Sequence, residues 1–329
     1  MALLEVTDLE VEFPLGRTTL QAIHGLSFKI DKGERVGIVG ESGAGKSVAA
    51  FSILNLIAKP GRISAGTVFF EDTNLADLSP EDMQKIRGNR ISMIFQDPMM
   101  TLNPVLTIGT QMVECLHAHR DISNEDAKRI AIEKLREVKI PSPEERFDNY
   151  PHQLSGGMRQ RVVIAIALIT EPGIIIADEP TTALDVTIQA EILALMLDLC
   201  RNHGVALILI THDLAVVSQV TQRIVVMYAG RVVEQGPTRD IITDARHPYT
   251  HGLIKALPQQ NNAGARLNQI KGSMPTLDSI PKGCAFNPRC EFADGQCAES
   301  EPELRQVNNR LVACHHAETV SAHYAVEAK

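Results

Sequence analysis

Tryptophan is absent from this chain and aromatic residues make up only 4% of it. It therefore lacks the ring platforms on which single-stranded nucleic acid stacks. Excess positive charge is missing too: 32 Lys and Arg stand against 40 Asp and Glu, a formal net charge of −8. That balance disfavours a nucleic-acid backbone as the main partner, although the phosphates of one nucleotide can be met by a locally built site. The longest apolar runs, Val162–Thr170 and Val205–Ile210, fall well short of the roughly 18 residues that cross a bilayer. The opening MALLEVTDLEVEF alternates apolar and charged residues, without the basic and apolar regions of a secretory signal. The expectation is a peripheral protein on the cytoplasmic side, reaching any membrane through a partner. Cysteine is sparse, with 6 in all, and Cys115 and Cys200 stand alone. The other four, Cys284, Cys290, Cys297 and Cys314, cluster near the C-terminus, which in a reducing compartment suggests metal ligation before disulfides.

What is present suits a folded protein of more than one domain: 329 residues, 44% hydrophobic and 22% charged. Leu3–Phe13 and Ser27–Ile30 alternate like strands, and Arg35–Val39 is a short buried run. Helices and turns are expected from about 97 to 154. Within them Ser123 and Asp126 form a capping-box pattern, Ala127, Ala131, Leu135 and Val138 share a face, and Pro141 and Pro143 stop the helix. Strand-like runs return at Gly173–Asp178, Val205–Ile210 and Ile224–Tyr228. The first two are separated by a helix that presents Ile188, Ile192, Leu195 and Leu199 on one face. Strands alternating with helices indicate an α/β domain with a mainly parallel sheet. This domain is assigned to residues 1–236 and a smaller C-terminal module, with little regular structure, to 237–329.

Gly40-Glu41-Ser42-Gly43-Ala44-Gly45-Lys46-Ser47 matches the phosphate-loop pattern G-x-x-x-x-G-K-[ST], with a buried strand before it and a helix after. Gly40, Gly43 and Gly45 let backbone N–H groups, with that of Ser42, converge on phosphates at a helix N-terminus. Lys46 would reach the β and γ phosphates of ATP, and Ser47 would hold Mg²⁺. A solvent-facing Gly-rich turn is the plain alternative, and spacing and context both argue against it. Ile174–Ala177 is an apolar strand that ends in Asp178 and Glu179. Asp178 is placed near the Mg²⁺ shell, and Glu179 where it can polarise an attacking water. Leu154-Ser155-Gly156-Gly157-Met158-Arg159-Gln160 opens a second helix on a Ser-Gly-Gly turn, a second anion-binding N-terminus. An ordinary Ser cap there would leave Gly156 and Gly157 as costly helix residues.

With these motifs in order, the chain resembles a nucleotide-binding subunit of an ABC transporter. The resemblance covers about Leu3–Gly236 and implies a P-loop NTPase core with an inserted helical subdomain. It implies that Ser155, Gly156 and Gly157 contact the γ-phosphate of ATP held by an opposite subunit. By the same resemblance Gln96 is the Q-loop glutamine linking Mg²⁺ and water to the helical subdomain. Asp185, after Leu184, lies in the D-loop; His212 is the switch histidine on the γ-phosphate; Phe13 sits against adenine. No catalytic motif is degenerate, so both half-sites of this chain are expected to be competent.

A narrower resemblance lies in the tail. His247-Pro248-Tyr249-Thr250, with Leu253, Ala256, Leu257 and Pro258, and the Asn287–Cys290 run are similar to the C-terminal region of dipeptide, oligopeptide and nickel importer ATPases, nearest the dipeptide type. Phe95–Met99 and Leu102–Pro104 fit the same group. Its members imply a second, different ATP-binding subunit, two transmembrane permease subunits and an extracytoplasmic substrate-binding protein. The cysteines are spaced C-x5-C-x6-C-x16-C, which by itself leaves zinc and an iron–sulfur cluster level and unliganded thiols third, with His315 and His316 nearby. The resemblance favours a [4Fe–4S] cluster and hence a small metal-bound C-terminal module. A soluble ABC ATPase, a nickel or other non-peptide importer, and a tail that senses metal or redox state are the alternatives. A soluble ATPase of this kind usually has long coiled coils or two cassettes in one chain, and neither is present here.

Overall fold

The computed structural model describes residues 2–182, 184–257, 269–320 and 323. Ala183, Pro258 and the stretch 258–268 therefore lie outside the described residues. The chain divides into two compact units, Met1–Ile30 with Arg35–Ala76 and Leu209–Lys329, and Asp31–Glu34 with Asp77–Ile208.

In the first unit, β1 (Leu4–Leu15) and β2 (Thr18–Ile30) form an antiparallel hairpin in which Phe13 faces Leu20. The buried residues of β1 are Leu4 and Val6, then Leu9 and Val11. That three-residue step is a β-bulge, with Asp8 at φ 45 and a register shift between Val6 and Leu9. The bulged amide is satisfied, because Asp8 N–H donates to Ser27 Oγ at 2.8 Å. β3 (Arg35–Val39) leads into α1 (Lys46–Ile53), and β4 (Arg62–Phe70) and β5 (Thr73–Asn74) complete an antiparallel sheet ordered β2-β1-β4-β5.

The second unit carries α2 (Pro80–Ile86), β6 (Ile91–Ile94), α3 (Pro98–Thr101), α4 (Ile108–His117), α5 (Asn124–Glu137), α6 (Pro143–Phe147) and α7 (Gly156–Leu168). It continues with β7 (Ile174–Asp178), α8 (Val186–His203) and the start of β8 (Ala206–Thr211). The helical stretch expected from 97 to 154 is thus α3 to α6 with a 3₁₀ turn at Pro151–Gln153. Ser123 caps α5 by accepting from Asp126 N, and Ala127, Ala131 and Leu135 are buried along it, with Val138 buried at its C-cap. Pro143 does more than the expected stop: it occupies the first turn of α6, where its missing N–H costs nothing. β6 and β7 pair in parallel, and every residue of β7 and β8 is buried, as expected for a parallel sheet covered on both faces.

The first unit resumes with α9 (Leu214–Val220), β9 (Arg223–Tyr228), β10 (Arg231–Pro237), α10 (Thr238–Thr243), α11 (Pro248–Lys255), α12 (Gly295–Glu299), β11 (Arg305–Val307) and β12 (Arg310–Val312). β9 lies parallel to β3, and β10 and β12 continue antiparallel outward, giving the order β11-β12-β10-β9-β3. The boundary read at Gly236 lies inside β10, and the tail is more regular than its composition implies. Its strands β11 and β12 are three residues long around Asn308-Asn309, too short to reveal an alternation. Glu234 on β10 is wholly buried and accepts from Arg246 N at 3.0 Å and His247 N at 3.1 Å, with Arg310 Nη1 at 3.4 Å. These donors offset the cost of burying its carboxylate and tie α11 to the sheet.

Candidate functional site

β3 delivers the chain into Gly40–Ser47 and α1 carries it away from Lys46. Gly40 passes β9 so closely that a Cβ would lie 2.3 Å from the Met227 carbonyl oxygen. Gly45 adopts φ 97, a left-handed conformation that glycine alone takes easily. The loop therefore turns straight into a helix whose first N–H groups lack intrahelical partners, the arrangement that receives phosphate. Ser42 and Gly43 are exposed, Gly45 and Ser47 half-buried. Lys46 is buried, and its Nζ donates to the carbonyls of Gly40 at 2.9 Å and Glu41 at 3.0 Å. Phe13 is half-buried on β1, its ring edge against Gly61, where a Cβ would come within 2.5 Å of it.

In the second unit, Asp178 ends β7 and is buried. Glu179 follows with φ 46, a backbone conformation that costs a non-glycine residue roughly 1–3 kcal/mol. Its Oε2 accepts from Thr182 Oγ1 at 2.9 Å and from Gln96 Nε2 at 3.4 Å. The meeting with Gln96 follows from the parallel pairing of Ile94 with Ala177, which puts the residues just past both strand ends side by side. Sequence reasoning had Gln96 and Glu179 as separate residues and missed Thr182, for which no sequence pattern gives a signal.

Ser155 caps α7, accepting from Met158 N at 3.3 Å, and Ser155 and Gly156 are exposed. Gly157 has a packing role that the sequence did not disclose: a Cβ there would lie 2.9 Å from Ile188 Cγ2 on α8. Asp185 is exposed and caps α8, accepting from Ile188 N at 3.0 Å. In the first unit His212 is exposed between β8 and α9. Its neighbours fix that turn, Thr211 Oγ1 accepting from Asp213 N at 3.1 Å and Asp213 Oδ1 from Ala215 N at 2.8 Å.

The four tail cysteines are free thiols, Cys297 and Cys314 buried, Cys284 and Cys290 partly so. Burial, with a smaller contribution from the charge of the other cysteines, pushes the Cys290 thiol up to about 11 and Cys314 up to about 12. Cys314 belongs to a small apolar core with Val307, Val312, Ala317 and Val320, against which Phe292 packs. Among the described residues, the group of possible metal ligands whose atoms all fall within 4.8 Å of one another is Asp294, Cys297 and His316. No described helix is long and apolar enough to cross a membrane.

Comparison with known proteins agrees with this geometry. The family described as ABC transporter matches residues 23–182, and that described as Oligopeptide/dipeptide transporter, C-terminal region, matches 233–297. The chain is 47% identical over 315 residues to the dipeptide transport ATP-binding protein DppD of Haemophilus influenzae, covering 96% of each chain. It is 48% identical to the oligopeptide transport ATP-binding protein AppD of Bacillus subtilis, covering 95% of this chain and 96% of that one. Among solved structures it resembles the dimeric post-hydrolysis state of the ATP-binding cassette MJ0796 bound to ADP and Pi. There the TM-score is 0.64 and the identity 30%, over 72% of this chain and 99% of that one.

Proposed function

This chain belongs to the ABC transporter family, as a transport ATPase with the oligopeptide/dipeptide transporter C-terminal region, and we propose that it powers uptake of dipeptides or oligopeptides. The observation that carries the solute class is the span of the likeness: a dipeptide transport ATP-binding protein is matched over 96% of both chains, tail included.

In the first unit, Gly40, Ser42, Gly43 and Gly45 turn backbone N–H groups to the ATP phosphates, Lys46 binds the β and γ phosphates and Ser47 binds Mg²⁺. His212 holds the γ-phosphate, and Phe13 flanks adenine. Bound Mg²⁺ supplies neutralisation of phosphate charge. In the second unit, Asp178 and Gln96 serve Mg²⁺, while Glu179 accepts a proton from the attacking water. The bonds from Thr182 and Gln96 support that role by orienting the carboxylate. Ser155, Gly156 and Gly157, with Asp185, address the nucleotide of a second ATP-binding subunit, a different chain. Exposure of Ser155 and Gly156 on a helix N-terminus supports this.

The partners are that second subunit, two permeases and an extracytoplasmic binding protein, with this chain on the cytoplasmic face of the membrane. Exposed Met99, Met100 and Val105, close in sequence to Gln96, support contact with a permease. We propose that Cys284, Cys290, Cys297 and Cys314, four thiols, would hold a [4Fe–4S] cluster. Two buried and two partly buried thiols that charge only with difficulty are what a bound cation would relieve. The cluster would staple a small C-terminal module. The grouping of Cys297 with Asp294 and His316 favours zinc as the alternative. The test of function is uptake of labelled dipeptide by vesicles carrying the assembled transporter. ATP-dependent uptake supports the reading, and uptake of nickel but not peptide overturns it.

A further inference from the structure

We infer that Arg289 and Tyr249 position the phosphate loop, which makes the C-terminal residues part of the nucleotide site. This rests on reading Gly40–Ser47 as that loop.

The contact is at Glu41, the second residue of the loop, whose polar groups all have partners. Its N–H donates to Tyr249 Oη at 2.7 Å. Its carbonyl accepts from Lys46 Nζ at 3.0 Å. Its carboxylate takes Arg289 in a fork, Nη1 to Oε2 at 2.7 Å and Nη2 to Oε1 at 3.0 Å. Tyr249 and Arg289 lie 208 and 248 residues further along the chain.

Both partners are themselves fixed. The Arg289 side chain is only 4% exposed. Its Nε donates to the Lys271 carbonyl at 2.8 Å, and its guanidinium lies 5.8 Å from the ring centres of Tyr228 and Phe286. Tyr249 is fully buried on α11, its ring edge-on to Tyr228 at 4.7 Å. The His247 ring caps that helix, Nδ1 accepting from Tyr249 N at 3.1 Å. A forked Arg–carboxylate pair on a packed aromatic base is rigid, unlike a mobile surface pair.

Charge gives the arrangement a consequence for ATP. A carboxylate one residue after Gly40 would repel a polyanion bound at the loop, and the paired guanidinium cancels that charge while holding the backbone. Losing Arg289 leaves the carboxylate uncompensated beside the phosphates. Losing the Tyr249 hydroxyl frees the Glu41 N–H and with it the loop backbone.

The test is ATP affinity, by equilibrium titration with ATP itself, of the full chain in its assembled transporter. Arg289→Ala should weaken ATP binding about tenfold, the scale of coupling between linked sites. Adding Glu41→Gln should recover most of that loss, because the repelling charge goes with it; a change acting through stability alone would not be rescued this way. Tyr249→Phe should raise KM for ATP about threefold while kcat changes less. Unchanged affinity in folded Arg289→Ala, or no recovery in the double variant, overturns the inference. If Arg289→Ala does not fold, an unchanged KM in Tyr249→Phe overturns it instead. Lys46→Ala separates the two readings: ATP binding undiminished in that variant would remove the phosphate-loop reading itself, whatever Arg289 does.

Discussion

Gln96 donates through Nε2 to Glu179 Oε2 at 3.4 Å, although 83 residues separate them. With Thr182 it aims a carboxylate that stands on a left-handed backbone. Gln96→Ala should therefore lower ATP turnover by roughly tenfold or more, short of the roughly hundredfold or greater loss of a general base itself. ATP affinity should change less than turnover. Steady-state kinetics of the assembled transporter check this, and a loss of affinity with turnover unchanged would assign Gln96 to binding alone.

The alternation and strand–helix order read from residues 3–228 survive in the structure because each signal is local. The Gly40–Ser47 motif is eight consecutive residues, and β7 is an unbroken apolar run into Asp178. Local reading failed where the cause was distant. The bulge at Asp8 answers to Ser27, and the purpose of Gly157 is Ile188, on another helix. The hairpin of β11 and β12 had a faint signal in Asn308-Asn309, a pair suited to a two-residue turn. The grip of Arg289 on Glu41 had none, since 248 residues lie between them.

Sharing of nucleotides between subunits can be tested at the α7 N-terminus. Ser155→Arg puts a bulky charge on an exposed cap, so it should block ATP-dependent pairing of the two ATP-binding subunits. Binding at this chain's own loop should persist. Crosslinking that shows pairing at the wild-type level would count against a shared site.

His247 gives the fold a dependence on acid. Burial lowers its pKa from 6.5 to about 3, so between those values the unfolded chain takes up a proton that the folded chain refuses. Its contribution to stability is complete above 6.5 and declines as pH falls toward 3, by up to about 1.4 kcal/mol per pH unit. His247→Asn can still cap α11 but does not titrate, so its stability should fall less steeply with acid. Parallel denaturation curves for the two proteins below 6.5 would contradict the assignment.

The tail cysteines predict a colour. Protein purified anaerobically should be brown, with about four iron and four sulfide per chain. Cys290→Ser should bleach it and open residues 284–314 to proteolysis. Stoichiometric zinc without iron would move the site to the group of Cys297, His316 and Asp294.

On the proposed reading, Glu179 activates water for an ATP hydrolysis that drives peptide uptake. Peptide-stimulated ATP turnover of the assembled transporter, wild type beside Glu179→Gln, measures it most directly. Turnover should fall at least roughly a hundredfold in the variant, with ATP still bound. Turnover near the wild-type rate would contradict that reading.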